Sequence, residues 1–496
     1  MTLVPLDIPA GFYRNGTDLE QSGRWRDGSL VRWRDNSLRP IGGWQERKTS
    51  FCTNVVRGMH TWEANNGTAY AAGGSYNELK AMTGAGTVYD IAPTDLATGR
   101  EDAEVETGYG YGFYGDGFYG TPIQQNANAV PEEATQWNIQ NWGEYLVAIN
   151  KDDGRLLEWQ LNPAVKAAPI ANAPTNNLGL VVTEERFMFA LGSGNNPRKI
   201  SWCDRENNTV WTPAATNEAG DIELADSGQI MQGIRTRGQT LILTDTSAHT
   251  ARYLGPPYVY GFERVGTSCG AISRKAASDV DMGVFWMGQR GFFRFDGNSV
   301  QEIPCDVFDY VFGDFNPAQQ SKVWSFANGQ YGEVWWFYCS ESSTEIDRYV
   351  AYDYKEGHWL IGNLSRTAGV QRGVFRYPFL AGHNSDSDIY EHEVGLNVDN
   401  SSIFAESGPI SIGAGDQVAR VTELIPDEKT QGDVNVTFKT RLYPNGAETS
   451  HGPFTTANPT SVRFTGRQVR MRVDGAILSD FRVGNMRIDM KAGGRR

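Results

Sequence analysis

A meander of short strands recurs along most of this chain and limits its fold more than any other feature. It is plainest over 283–304, GVFWMGQRGFFRFDGNSVQEIP. An apolar run to Met287, a turn at Gly288-Gln289-Arg290-Gly291, a run to Phe295 and another over 299–303 predict three antiparallel strands. Asp296-Gly297 reads as a two-residue type I′ turn, which needs positive φ at both residues. Related patterns fall at 68–91, at 142–161, at 186–213 (with 210–213 as a strand), at 239–265, at 333–362 and at 373–394. About seven meanders spaced by roughly 35 to 60 residues match the period of propeller blades. Alone, each would leave an apolar face bare. Closed in a ring, they bury those faces and remove free sheet edges.

The expected fold is therefore all-β: a β-propeller of about six or seven blades over 51–402, an N-terminal latch over 1–50 and a C-terminal antiparallel β-sandwich over 403–496. In the last segment 409–412, 418–425, 433–443, 461–474 and 481–490 read as alternating strands. Helical periodicity is scarce, and the best candidate is brief, 317–323. A Gly/Tyr-rich insert, TGYGYGFYGDGFYGTP at 107–122, interrupts the first meanders. Its Gly110, Gly112 and Gly115 match a dinucleotide fingerprint only nominally, because no strand–crossover–helix context surrounds them. It reads as a projecting loop, and Tyr109, Tyr111, Tyr114 and Tyr119 are candidates to face a channel or a partner.

The balance of 45 Lys and Arg against 59 Asp and Glu gives −14, which argues against a surface that coats nucleic acid. Residues 461–496 depart from it, with nine basic and three acidic residues. A basic end on an acidic body suggests docking on an acidic or phosphate-bearing neighbour, or an ordinary solvated strand face. The leader is rich in Arg and Trp, but Asp18, Glu20, Asp27 and Asp35 cancel its charge. It reads better as a latch onto the body or a neighbouring subunit than as a nucleic-acid arm. Trp25, Trp33, Arg467, Arg470, Arg472, Arg495 and Arg496 are the candidate partner interface.

Cys52, Cys203, Cys269, Cys305 and Cys339 are odd in number and widely spaced, which suits scattered thiols in a reducing compartment. The start lacks a basic, apolar leader and no run is long enough for a membrane helix, so a protein made in a cytoplasm is expected. The six histidines show no metal-ligand spacing, and no nucleophile elbow or phosphate loop occurs. The polar run from His383 to Glu393 lacks the glycine turn and ligand ladder of a calcium loop, so it reads as a hairpin turn and strand. Asp152–Trp159 and Asp353–Trp359 echo a sialidase-type turn without its serine. No catalytic, cofactor or metal site is expected.

Four stretches together resemble the tail hub or nozzle proteins (packaged-DNA stabilisation family) of short-tailed bacteriophages. They are the leader GFYRNGT…GRWRDGSLVRWRDNSLRPIGGW; the run from Thr244-Asp245-Thr246-Ser247 through Val265-Gly266-Thr267-Ser268-Cys269-Gly270 to Phe292-Phe293-Arg294-Phe295-Asp296-Gly297; IYEHEVG from Ile389; and GRQVRMR from Gly466 with the terminal GGRR. The resemblance implies a non-enzymatic virion protein, a hexameric ring below the portal and adaptor (the head-to-tail connector), assembled in the host bacterial cytoplasm. It implies contacts with tail fibres or spikes and with a plug or needle, and double-stranded DNA passing through without sequence-specific binding. A negative lumen would let DNA slide. The competing expectation is a glycan-binding or glycan-cleaving propeller that recognises a host surface.

Overall fold

The computed structural model describes residues 2–105, 131–225, 228–382, 387–398, 402–412, 417–444, 446–475 and 479–494. Among them the chain is all-β, with a short α-helix at Phe308–Gly313 and 3-10 turns at Ser193–Asn195 and Pro317–Lys322. The body is made of seven four-stranded antiparallel sheets. Their first strands are Met59–Glu63, Trp137–Trp142, Gly179–Val182, Ile230–Thr236, Ala277–Val280, Trp324–Asn328 and Arg366–Val370. Each first strand touches the next, and the last touches the first, so the sheets close into a propeller-like ring.

Alternation explains why the middle strands are apolar on both faces. In Tyr145–Asn150, Leu146 and Ala148 pack with Trp62, Tyr70 and Ala72 of the first sheet. Val147 and Ile149 pack instead with Leu180, Met188 and Ala190 of the third. The same division recurs around the ring, so each buried cluster lies between two neighbouring sheets. A strand buried on both sides reads as a continuous apolar run, as VWWFY at 334–338 does. The ring is closed by the leader: Trp44–Lys48 pairs with Ile389–His392 as the outermost strand of the seventh sheet, Trp44 opposite His392 and Gln45 opposite Glu391. That strand removes an open edge.

Two further antiparallel sheets hold the C-terminal region. One orders Thr2–Pro5, Arg487–Ala492, Ala419–Ile425 and Thr460–Gly466. The other orders Trp25–Ser29, Phe404–Ser407, Gln468–Gly475, Val434–Arg441 and Thr449–Thr455. Val421, Leu424, Val436, Phe438, Val462, Phe464, Met471 and Ile488 are buried together with them, in one core continuous with leader residues and the sixth ring sheet. The leader thus supplies strands to three sheets, and the divisions at 50 and 402 are crossed by backbone pairing.

Several strand expectations are corrected. The 283–304 unit has a fourth strand, Ala277–Val280, before its three. Its Asp296-Gly297 turn is not type I′: Gly297 has φ 102, whereas Asp296 does not enter the positive-φ region. The Asp296 carboxylate instead accepts from the Asn298 and Ser299 N–H groups at 2.8 Å each, and the wider turn pairs Phe295 with Val300. The fourth strand of the third sheet is Gly220–Glu223, not 210–213. The expected strand 461–474 is two strands in different sheets, parted at Gly466 and Arg467, where the Arg467 N–H bonds the Arg441 carbonyl.

Candidate functional site

The leader, the ring and the two C-terminal sheets meet at one joint rich in buried charge. It begins with a tight hairpin in which Val31–Arg34 pairs with Ser37–Pro40. Asp35 and Asn36 at its tip both have positive φ, 51 and 59, the backbone of a type I′ turn. The hairpin directs Arg32 inward, where it is 3% exposed. Its Nε lies 2.9 Å from Glu333 Oε1, and its Nη2 lies 2.6 Å from Glu393 Oε1. The guanidinium also sits 3.6 Å over the Tyr331 ring. Burial works against its charge, but Glu333 and Glu393 outweigh it and hold Arg32 charged. One cation between two carboxylates leaves a buried negative surplus. Burial pushes the Glu333 carboxyl up to about 7, with Arg32 opposing and Glu393 reinforcing.

A second cluster sews the leader to the end sheets. Asp18 accepts from Arg26 at 2.9 Å, from Arg470 at 2.6 Å and from Arg441. Burial pushes its carboxyl upward, but Arg441, Arg470 and Arg26 together hold it below the usual range. Arg470 also reaches Glu448 at 3.2 Å, and Arg472 pairs with Asp474 at 2.8 Å while lying 3.7 Å over Phe404. Arg467 lies 5.1 Å over the Tyr443 ring. A third set lies nearer the ring: Arg57 and Lys322, both buried, pair with Glu345, and Lys322 also with Asp102. Burial opposes the Glu345 charge, yet Arg57 and Lys322 bring its carboxyl down to about 2.

These positions redraw the candidate interface. Trp25 and Trp33 are core residues, 5% and 2% exposed, and Trp33 packs edge-on against Phe12 at 4.9 Å. They cannot meet a partner as expected, because the leader folds back on its own chain. Arg470 and Arg472 are engaged by carboxylates of the same molecule, which explains why basic residues crowd these strands. Arg495, Arg496, Tyr109, Tyr111, Tyr114 and Tyr119 lie outside the described residues. The outward basic residues are others: Arg420, Arg463, Arg487 and Lys491 are exposed on the sheet that contains Thr2–Pro5, with Arg420 directly opposite Lys491.

Among the described residues one group has metal-ligand character, Asp353, Glu356 and His358, whose ligand atoms lie within 4.8 Å of one another. Its geometry serves the hairpin. Asp353 accepts from the Lys355 and Glu356 N–H groups at 2.8 Å each, and Glu356 accepts from the Asp35 N–H of the leader turn at 3.2 Å. The five cysteines are free; burial raises their thiols, that of Cys269 to about 11. Arg32 and Glu333 were not singled out by the sequence; Asp18 stood out only among the acids that cancel the leader's charge, and Glu393 only as the end of a polar run. The available signal was an arginine between Val31 and Trp33, two residues that strand alternation alone would not bury with it.

No protein-family model and no curated protein matches the chain. Solved structures give distant likenesses. Virginiamycin B lyase from Staphylococcus aureus is 7% identical at a TM-score of 0.43, over 70% of this chain and 98% of that one. A streptogramin B lyase is 8% identical at 0.39, over 70% and 96%. A glycoside hydrolase is 8% identical at 0.28, over 89% and 99%. Similarity this low transfers no activity, and the ring itself rests on the strand pairing described above.

Proposed function

We propose that this chain is a structural virion protein, the hub or nozzle of a short bacteriophage tail, which forms the lower DNA channel, retains packaged DNA and passes it during ejection. In this reading the seven sheets are propeller blades, the C-terminal pair is a β-sandwich, and the protein catalyses nothing. The observation that carries the reading is the joint. Stretches of the resemblance that lie far apart in sequence meet there: Arg32 of the leader is held by Glu393 of IYEHEVG, and Asp18 of the leader by Arg470 of GRQVRMR. A subunit that must stay intact while DNA passes gains from ends locked into its body by buried pairs, since pulling them apart strands charge in the core.

The partners are other copies of the chain in a ring of about six with heterologous contacts, the adaptor, tail fibres or spikes, and a plug or needle. The face bearing Arg420, Arg463, Arg487 and Lys491 is the surface assigned to an acidic patch of the adaptor, because its charges are exposed whereas those of Arg470 and Arg472 are paired. The place of action is the virion tail. Mass measurement of the purified protein, with imaging of tailed particles, tests this reading: a closed ring of about six chains in the tail is the expected result. Monomers that bind a glycan array or release sugar would replace it with the glycan-recognising propeller.

A further inference from the structure

The ring axis holds a cavity that neither the joint nor the tail reading uses. It has a volume of about 160 Å³ and is lined by Arg57, Gln136, Gln232, Lys275, Ser325 and Thr367, together with small and apolar residues of the first strands. Among the described residues no carboxylate lines it. In a chain with 59 acidic residues that is a marked local reversal of charge. Arg57 is already matched by Glu345, and the Gln232 amide is engaged with the backbone of Ala277 in both directions. Besides the Arg57 Nε, which has no hydrogen-bond partner among the described residues, two groups are left over. Lys275 is half-buried; its ammonium has no ion pair among the described residues, and burial pulls it down to about 8. Thr367, 2% exposed, has a buried hydroxyl with no hydrogen-bond partner among the described residues. Nearby, His60 bonds Asn141 at 3.0 Å; burial first, then the charges of Lys275 and Arg235, hold its ring neutral down to about pH 4. The axis there is positive and uncompensated.

We infer that this cavity is a binding site for a small oxyanion, phosphate or sulfate, held by the Lys275 ammonium and the Thr367 hydroxyl. An oxyanion answers both leftovers at once: it supplies the missing negative charge and accepts the orphan hydroxyl proton donor. The cavity is roomy enough for such an ion with accompanying water. Its walls come from first strands of five sheets, so a bound anion would add a contact shared among them.

The test uses the full chain dialysed into a buffer free of phosphate and sulfate, melted with increasing inorganic phosphate, sulfate or acetate, against chloride at matched ionic strength. Phosphate and sulfate should raise the melting temperature saturably, and chloride should not. Lys275→Met should raise the melting temperature without phosphate, because it removes an unpaired charge, and weaken phosphate binding by about tenfold or more. Thr367→Val should weaken it less, and Lys275→Arg should retain it. Equal stabilisation of wild type and Lys275→Met would overturn the proposal, as would no saturable effect of phosphate or sulfate on wild type. A response to acetate alone would overturn the assignment to phosphate or sulfate as well.

Discussion

Replacing Arg32 by methionine removes the cation shared by Glu333 and Glu393 while keeping much of the side chain's bulk. All three groups are buried, with side chains 4%, 1% and 7% exposed. One carboxylate that Arg32 neutralises must then be left charged and unpaired or take up a proton. Protonation sets the upper limit. With an ordinary glutamate pKa of 4.5 and 1.36 kcal/mol per unit, neutralising it costs about 5 kcal/mol at pH 8 and about 1.4 kcal/mol at pH 5.5. The first figure agrees with the roughly 3–5 kcal/mol expected for breaking a buried pair. The direction follows from linkage. Without Arg32 the Glu333 and Glu393 pair must hold one more proton in the folded form than it does in wild type, a proton that the unfolded form releases. The loss relative to wild type therefore grows as pH rises above about 4.5. Urea unfolding of wild type and Arg32→Met at the two pH values, with the slope compared to check that the transition is unchanged, measures the difference. A loss below about 1 kcal/mol at pH 8, or an equal loss at both pH values, would refute the buried-pair argument.

Three other perturbations follow from the same contacts. Truncation after residue 402 should yield aggregated chains by size-exclusion chromatography rather than a free ring, because Thr2–Pro5 and Trp25–Ser29 lose their partner strands; a monodisperse product would count against the joint. Phe292→Ala should cost about 3–5 kcal/mol in thermal or urea unfolding, since this buried ring packs against Trp336 at 4.8 Å and Trp359 at 4.6 Å. Glu345, depressed to about 2, should contribute stability that is complete above about pH 4.5 and is lost as pH falls toward 2, an effect of roughly 3 kcal/mol. Glu345→Gln should flatten that acid limb, and an unchanged limb would show that the pair with Arg57 contributes little.

The middle strands of the ring were legible because both their faces are buried. LVAI at 146–149 and VWWFY at 334–338 are apolar without interruption, and the turns beside them carry Gly or Asp. The first strands were mostly missed for the opposite reason. MHTWE, IMQGIRT, ASDV and RTAGV wall the axis with mixed polar and small residues, so neither an apolar run nor clean alternation marks them. The leader's interleaved charges suggested a segment held by its own molecule or a neighbour, but not where it attaches. Pairing of Trp44 with His392, or of Asp18 with Arg470, joins residues hundreds of positions apart, and local propensity holds no information on such contacts. The basic strand faces misled in the same way, because a charge count cannot separate Arg470, paired inside the molecule, from Arg463, exposed outside it.

The leader connects these observations physically. A ring of sheets closed by strand pairing is only as secure as its last edge, and here that edge is covered by Trp44–Lys48. Loss of this strand would bare the Ile389–His392 edge and uncover the seventh sheet's outer side. The five residues alone are a weak fastening, with three of them exposed. Immediately upstream, however, Gly42 donates its N–H to Glu393 at 2.9 Å, and Glu393 is the carboxylate that grips Arg32. Further upstream, Asp18 and the strand Trp25–Ser29 are fixed to the C-terminal sheets. The closing strand is thus anchored through buried charge and paired backbone rather than by its own side chains. Opening the ring at this edge requires either fraying the short strand against that anchor or exposing the Arg32 cluster, which places the energetic control of closure in the joint.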